Sequence, residues 1–451
     1  MLNQKDFMKL ALKFALPVMI QNLISTLVSS ADTVMLGYVN QTAMSASSLA
    51  NQYTFVLMCF YFGMATATSV LCGQYWGKKD VKTIERIIGL STRISLLIST
   101  LFFAIGFFFP EAIMRLLTNS PDTIAAGGQY LRVVSVSFVF MGFSQVFLSA
   151  VRSVGKVVLP SVTYVISLCT NVLFNAAFIF GLFGLPKLGV VGVAVGTVIA
   201  RIVECLICLG YSAVGKEIRF RVRYLFERAG VLFSDVMKIS VPAIANDIVW
   251  SLATTVFAAI LGHIGDDMVA ANAVAIMVVN IGAIAMRGFC SAATVIVSNE
   301  LGKNDLDTAK EYSKRMLRLT ILVGLVGCIV IVLIRPFMMN YYADKLSTTA
   351  VSYLGSIMFM TTWRLVGEGI NTCLICGFFR AGGDSKYGLI MDSVFMWGVA
   401  VPIMAIAAYV IKLPPIWVYF VMSLDEIYKI PVVWRHYTKY EWMKNITREM
   451  E

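Results

Sequence analysis

Residues 316–339, MLRLTILVGLVGCIVIVLIRPFMM, carry no charge between Arg318 and Arg335. A helix of about 20 apolar residues crosses about 30 Å of hydrocarbon, so the stretch reads as a membrane span. Eleven more runs of this kind lie at roughly 10–38, 48–73, 91–110, 127–150, 157–182, 189–213, 238–262, 269–297, 349–378, 386–411 and 415–434. The composition agrees, with 58% of the 451 residues in the set AVILMFWYC and 14% charged. A soluble domain has nowhere to bury so much apolar surface. The first run contains Lys9, Lys13 and Asp32, and is expected to be a span rather than a cleaved signal peptide. The longest gap, about 214–236, is too short for a folded domain.

The net charge of +11 comes from 37 Lys and Arg against 26 Asp and Glu, a balance that would also suit a nucleic-acid binder. Position along the chain decides. With the N-terminus inside, the outer loops hold only Arg115, Lys187, Arg335, Lys345 and Lys412, while Arg132, Arg201, Arg287 and Arg364 fall within spans. All the rest, Lys429 and the tail included, is then inside, as expected of loops that stay cytoplasmic. Both termini are expected in the cytoplasm of a multi-pass protein of the plasma (inner) membrane, in a bacterium. The cluster Arg219, Arg221, Arg223 and Arg228 joins two spans on that face, where anionic lipid accounts for it. No aromatic-interleaved basic surface of a nucleic-acid module accompanies it.

The chain repeats itself. Pro17 and Pro242, Gly37 and Gly262, Gly77 and Gly302, Lys78 and Lys303, Asp80 and Asp305, and Thr83 and Thr308 are each 225 positions apart. Arg152 with Arg380, and Gly155 with Gly383, are 228 apart. Six spans per copy is an even number, so both copies enter from the same side, which is the parallel repeat of rocking transporters. The expected fold is therefore an all-α polytopic membrane protein, with twelve transmembrane helices in two pseudo-symmetric six-helix bundles around a central cavity. Its parts are an N-lobe at 1–213, a basic linker at 214–236, a C-lobe at 237–434 and a tail at 435–451. Pro17 and Pro242 each delete a backbone hydrogen bond inside a first span, giving either a gating kink or a static bend.

Asp32-Thr33-Val34-Met35-Leu36-Gly37, Gly73-Gln74-Tyr75-Trp76-Gly77-Lys78 and Gly377-Phe378-Phe379-Arg380-Ala381-Gly382-Gly383-Asp384 stand in this order along the chain. In these motifs, in span count and in half-repeat, the sequence resembles the multidrug and toxic compound extrusion transporters over nearly its whole length. The resemblance implies a secondary antiporter that expels organic, often cationic, compounds in exchange for inward H⁺ or Na⁺.

Ionisable side chains inside spans are costly and normally face the protein interior. Asp32, in the outer third of span 1 near Ser29, Ser30 and Thr33, could take a proton or coordinate Na⁺. Asn171 and Asn175 lie one turn apart on span 5, and Thr197 on span 6 could add a hydroxyl. The resemblance implies that Asp32, Asn171, Asn175 and Thr197 form the N-lobe cation network. The neutral Asn175 stands where many members have Asp, and the alternative is an Asn pair that only joins helices. In the C-lobe, Asp247, Arg287, Glu368 and Asp392 form a candidate polar cluster for substrate or a second cation. The competing reading is a set of ion pairs that fix packing, favoured for Arg364 with Glu368 and for Arg201 with Glu204. Candidate substrate contacts are Asn51, Gln52, Tyr53 and Trp250.

The nine cysteines lie in or beside spans and no His completes a tetrahedral set, so no metal is expected beyond Na⁺ at Asp32. No phosphate-binding Gly-x-x-x-x-Gly-Lys-Ser/Thr loop and no Gly-x-Ser-x-Gly or His-Glu-x-x-His motif occurs. The expectation is a transporter rather than an enzyme, without cofactor, monomeric, and partnered by small organic substrates and membrane lipid. The alternatives are a flippase for a lipid-linked precursor and, more remotely, an intramembrane enzyme.

Overall fold

The structure, a computed structural model, describes residues 2–37, 40–215, 217–227 and 230–449, without the side chains of 27–34, 37 and 183. Among the described residues every regular element is helical. Among those residues ten helices are long and apolar enough to cross a membrane. Spans 1 to 3 are Gln4–Gly37, Gln41–Gly77 and Val81–Phe108. Span 4 is Val136–Ser153, preceded by Pro121–Val134, and spans 5 and 6 are Val158–Phe180 and Val190–Val214. Spans 7, 8, 9 and 11 are Gly230–Ile264, Asp266–Gly302, Leu306–Tyr342 and Ser385–Val410.

The other two expected spans are present but less apolar. Span 10 is Thr348–Thr372, continued by a π-helical Cys373–Phe379, and it carries Arg364 and Glu368. Span 12 breaks at Leu424 into Pro415–Ser423 and Asp425–Lys439, and the second piece begins with Asp425 and Glu426. The fold is thus all-α and polytopic. Leu101, Leu206, Leu333 and Phe337 are each at least 58% exposed, as lipid-facing side chains must be.

Two compact units divide the chain, one of Met1–Met19 with Val241–Arg448 and one of Ile20–Ser240 with Glu449–Glu451. They are called here the C-lobe unit and the N-lobe unit. The cut differs from the sequence boundaries at 213 and 237, because the start of span 1 packs with the second half. The Tyr312 hydroxyl accepts from the Leu2 N–H at 3.0 Å, its ring lies 4.9 Å from that of Phe7, and Gly288 leaves room for Met19. The linker belongs to the N-lobe unit. Glu85, 5% exposed, accepts from the Arg219 N–H at 3.2 Å and from Arg221 Nε at 2.6 Å, while Tyr224 packs on Gly89. Part of the cluster read as a lipid patch is therefore an internal tether; Arg228 lies outside the described residues.

The repeat is visible in backbone detail. After spans 2 and 8, Lys79 and Asn304 adopt φ of 64° and 60°. Asp80 and Asp305 then cap spans 3 and 9, each accepting at 3.0 Å from the N–H of Thr83 or Thr308. After spans 4 and 10, Gly155 and Gly383 take φ of 90° and 81° and donate to the carbonyls of Arg152 and Arg380. Only glycine adopts such values without strain.

Replacing either capping aspartate by Ala should cost about 1 kcal/mol, and the two losses should add because the sites are independent. Melting of the detergent-solubilised protein measures this. The Thr308 hydroxyl, and then its backbone N–H, hold the Asp305 carboxyl below its ordinary value of 3.8. The cap's contribution is therefore complete above that value and fades as pH falls through the lower folded one.

Candidate functional site

In the N-lobe unit, Asn175 is fully buried on span 5 and its amide donates to Asn171 Oδ1 at 3.2 Å. The Asn171 amide donates to Thr197 Oγ1 on span 6 at 3.1 Å, and the Thr197 hydroxyl donates to the Val193 carbonyl at 3.0 Å. Three of the four residues expected to form the cation network are thus one hydrogen-bonded chain. Asp32 lies on the same unit's part of span 1, and its side chain is outside the described residues. Gly196 makes the approach possible, since a Cβ there would collide with Asn175 Oδ1.

One turn further along span 6, Arg201 Nη1 donates to Glu204 Oε2 at 2.6 Å, the intrahelical pair expected from the i, i+3 spacing. Glu204 is fully buried and also accepts from the Ser167 hydroxyl at 3.1 Å. The candidate substrate contacts are mixed. Tyr53 is committed within the unit, its hydroxyl donating to the Phe102 carbonyl at 2.9 Å, and Asn51 accepts from the Tyr130 hydroxyl at 3.3 Å. Gln52 is exposed, and in the C-lobe unit Trp250 is 40% exposed.

The C-lobe unit holds a larger buried network. Arg380 Nη2 donates to Asn246 Oδ1 at 2.9 Å and to Asp247 Oδ1 at 3.1 Å. The Asn246 amide donates to Asp392 Oδ2 at 2.6 Å. Lys429, 2% exposed, donates to Asp392 Oδ1 and to Glu426 Oε1, both at 3.1 Å. Asn371 donates to Glu426 Oε2 at 2.8 Å, and Arg364 lies 3.6 Å from Asp425. Four spans, 7, 10, 11 and 12, therefore meet through charged and amide side chains.

Asp247 and Asp392 do share this cluster, through Asn246 and Arg380. Glu368, half-buried, interacts electrostatically with Arg364, Glu426, Arg287 and Lys429. Arg287 is exposed. Arg364, expected to pair with Glu368 along span 10, still acts on it electrostatically, but its ion-pair contact is with Asp425 across on span 12, where the carboxylate is 2% exposed. Helical spacing identifies neighbours on one helix and is silent about a more deeply buried partner on another. Asn246, Asn371, Arg380 and Lys429 were not among the expected site residues. The signal for Lys429 was its spacing of three from Glu426 inside the last apolar run; for Arg380 it was the repeat.

That repeat extends into the networks. Arg152 Nη2 donates to Gln21 Oε1 at 3.4 Å, and Gln21 and Asn246 are 225 apart, each four residues after the proline of its span. Pro17 and Pro242 sit inside helices that continue past them. Ser167, Arg201 and Glu204 also map at 225 onto Asp392, Glu426 and Lys429. The same three-cornered contact recurs in each unit with the charges of its span-6 or span-12 pair reversed.

Gly196→Ala should push Asn175 out of register and cost about 1–3 kcal/mol, seen as a lower melting temperature. Arg380→Ala leaves buried Asn246 and half-buried Asp247 without this donor and should cost about 3 kcal/mol. Its loss should combine non-additively with that of Asp247→Asn in a double-mutant cycle.

The MatE family profile matches residues 17–177 and 242–406, two stretches that begin at the two prolines. The chain is 24% identical over 446 residues to the probable multidrug resistance protein YoeA of Bacillus subtilis (strain 168), covering 96% of this chain and 94% of that one. It is 22% identical to the probable multidrug resistance protein NorM of Thermotoga maritima, covering 98% and 95%. Its fold matches the crystal structure of MATE in the bent conformation with a TM-score of 0.86 at 17% identity, covering 96% of each chain. With both halves matched by one family profile and nearly its whole length shared with such relatives, the chain belongs to the MatE family of multidrug and toxic compound extrusion transporters.

Proposed function

We propose that the protein exports organic, cationic, drug-like or toxic compounds in exchange for inward H⁺ or Na⁺, by alternating access. The observation that carries this reading is the buried Asn175–Asn171–Thr197 chain, polar side chains held deep in apolar helices. Such groups cost free energy in hydrocarbon unless they are paired or used. Asp32, on span 1 of the same unit, supplies the carboxylate that an amide and hydroxyl set lacks for holding a cation. Protonation or ion capture at Asp32 would change the net charge of the N-lobe by one, and a kink at Pro17 gives span 1 a place to respond.

In the C-lobe unit the carboxylates Asp247 and Glu368 offer negative charge to an organic cation and Trp250 offers exposed contact surface, with Asp392 held by Lys429 and Asn246; in the N-lobe unit Gln52 is exposed. Both termini lie in the cytoplasm in this reading, with the protein a monomer in a bacterial inner membrane. The cation selectivity follows from the acids; a lipid-linked anionic precursor would instead ask for a basic pocket.

The test is efflux of a fluorescent organic cation from proteoliposomes, with Na⁺ and pH gradients imposed separately. One gradient should drive efflux, and Asp32→Asn should lower the driven rate at least about tenfold, the loss expected when a charge essential to the transport cycle is removed. Full driven efflux by Asp32→Asn would remove Asp32 from the coupling role. Failure of both gradients across a broad dye panel would favour lipid-precursor flipping.

A further inference from the structure

Lys429 is the least expected charge in the molecule. It lies on span 12, 2% exposed, with its ammonium 3.1 Å from Asp392 Oδ1 on span 11 and 3.1 Å from Glu426 Oε1. The second oxygen of each carboxylate is also engaged, Asp392 Oδ2 by the Asn246 amide at 2.6 Å and Glu426 Oε2 by the Asn371 amide at 2.8 Å. All four carboxylate oxygens therefore have donors, and the positive charge shared by the two carboxylates is the ammonium of Lys429, which is covalently attached to the chain.

We propose that Lys429 is a tethered cation, filling in the C-lobe the place that a mobile metal ion would otherwise take between Asp392 and Glu426. An ammonium and an alkali-metal ion make the same demand, one positive charge surrounded by oxygens. Binding of a metal ion there would place two like charges side by side and displace amide donors from both carboxylates. The C-lobe network therefore excludes Na⁺. Under the antiport reading, on which this last step rests, any metal-ion dependence of transport belongs to the N-lobe and Asp32.

The repeat supplies an internal comparison. Glu204 and Arg201 occupy the positions of Lys429 and Glu426, and Ser167 that of Asp392. The N-lobe corner holds one carboxylate with one built-in guanidinium; the C-lobe corner holds two carboxylates and has recruited a lysine. Each copy of the fold brings its own cation to this point.

The experiment reads binding through stability and needs no transport. Purified protein is melted in Na⁺, Li⁺ or choline at equal ionic strength. Asp32→Asn with Lys429 intact should melt at the same temperature in all three. Asp32→Asn combined with Lys429→Ala should melt lower in choline and recover by several degrees in Na⁺ or methylammonium, the linkage expected of a ligand that binds only the folded state. Lys429→Arg should remain insensitive. A Na⁺ shift in Asp32→Asn that disappears on adding Asp392→Asn overturns the proposal, and does so even if the Lys429→Ala protein fails to fold. A folded Lys429→Ala protein indifferent to both cations overturns it as well. Loss of dye efflux with this melting pattern intact would count against the antiport reading alone.

Discussion

A charge buried among apolar helices has to be met by another charge, and the spans of the C-lobe unit are arranged by that requirement. Removing one partner of such a pair strands the other at a cost of several kcal/mol, whereas a complete pair is tolerated. Lys429 with Asp392 and Glu426, Arg380 with Asp247, and Arg364 with Asp425 each link different spans or a span to the turn beside it. Spans 10 and 12, the two that fall short of the hydropathy of the others, are the ones carrying most of these groups. Their closeness is a sequence property too, since a Cβ on Gly367 would stand 3.1 Å from that of Glu426.

The two units start from one plan and diverge in how they satisfy this requirement. Their turns and caps are superimposable in hydrogen-bond pattern, and each places an arginine from the turn after its fourth span on an amide four residues beyond a proline. In the N-lobe unit that amide, Gln21, meets Arg152, and the neutral chain Asn175–Asn171–Thr197 lies one turn from Arg201 and Glu204. In the C-lobe unit the amide Asn246 is followed by Asp247 and relays onward to Asp392. One lobe thus keeps its polar chain nearly uncharged, while the other maintains a network of full charges.

The architecture was legible because its signals are long and redundant. Apolar runs mark the spans, and the internal repeat is carried by turns in which Asp80 and Asp305 are required by capping and Gly155 and Gly383 by φ. The Asn171, Asn175 and Thr197 contacts were also legible, being set by one helical turn and by the family resemblance. Partners across helices were not. Arg364 reaches Asp425 on another span while still acting on Glu368, and Glu85 takes the Arg221 guanidinium and the Arg219 backbone N–H from a linker that reads as a lipid-facing basic segment. Sequence spacing encodes one helix at a time, whereas burial decides which of several carboxylates most needs a cation.

Lys429 shows why a tally of charges by position misleads. Counted with the basic residues beyond the last span, it adds to the inner-face excess that orients the chain. In the structure it is buried and spends its charge on two carboxylates. The residue that looks most like a topology signal is thereby part of the interior, and the reversal between Arg201–Glu204 and Glu426–Lys429 becomes intelligible. What the repeat preserves at these positions is the pairing, not its direction. Swapping acid and base along a helix leaves the pair intact, but it changes which sign remains for the neighbouring helix. In the N-lobe the acid has room for a hydroxyl, Ser167; in the C-lobe the base requires a second acid, Asp392, and with it the amides that hold that acid in place.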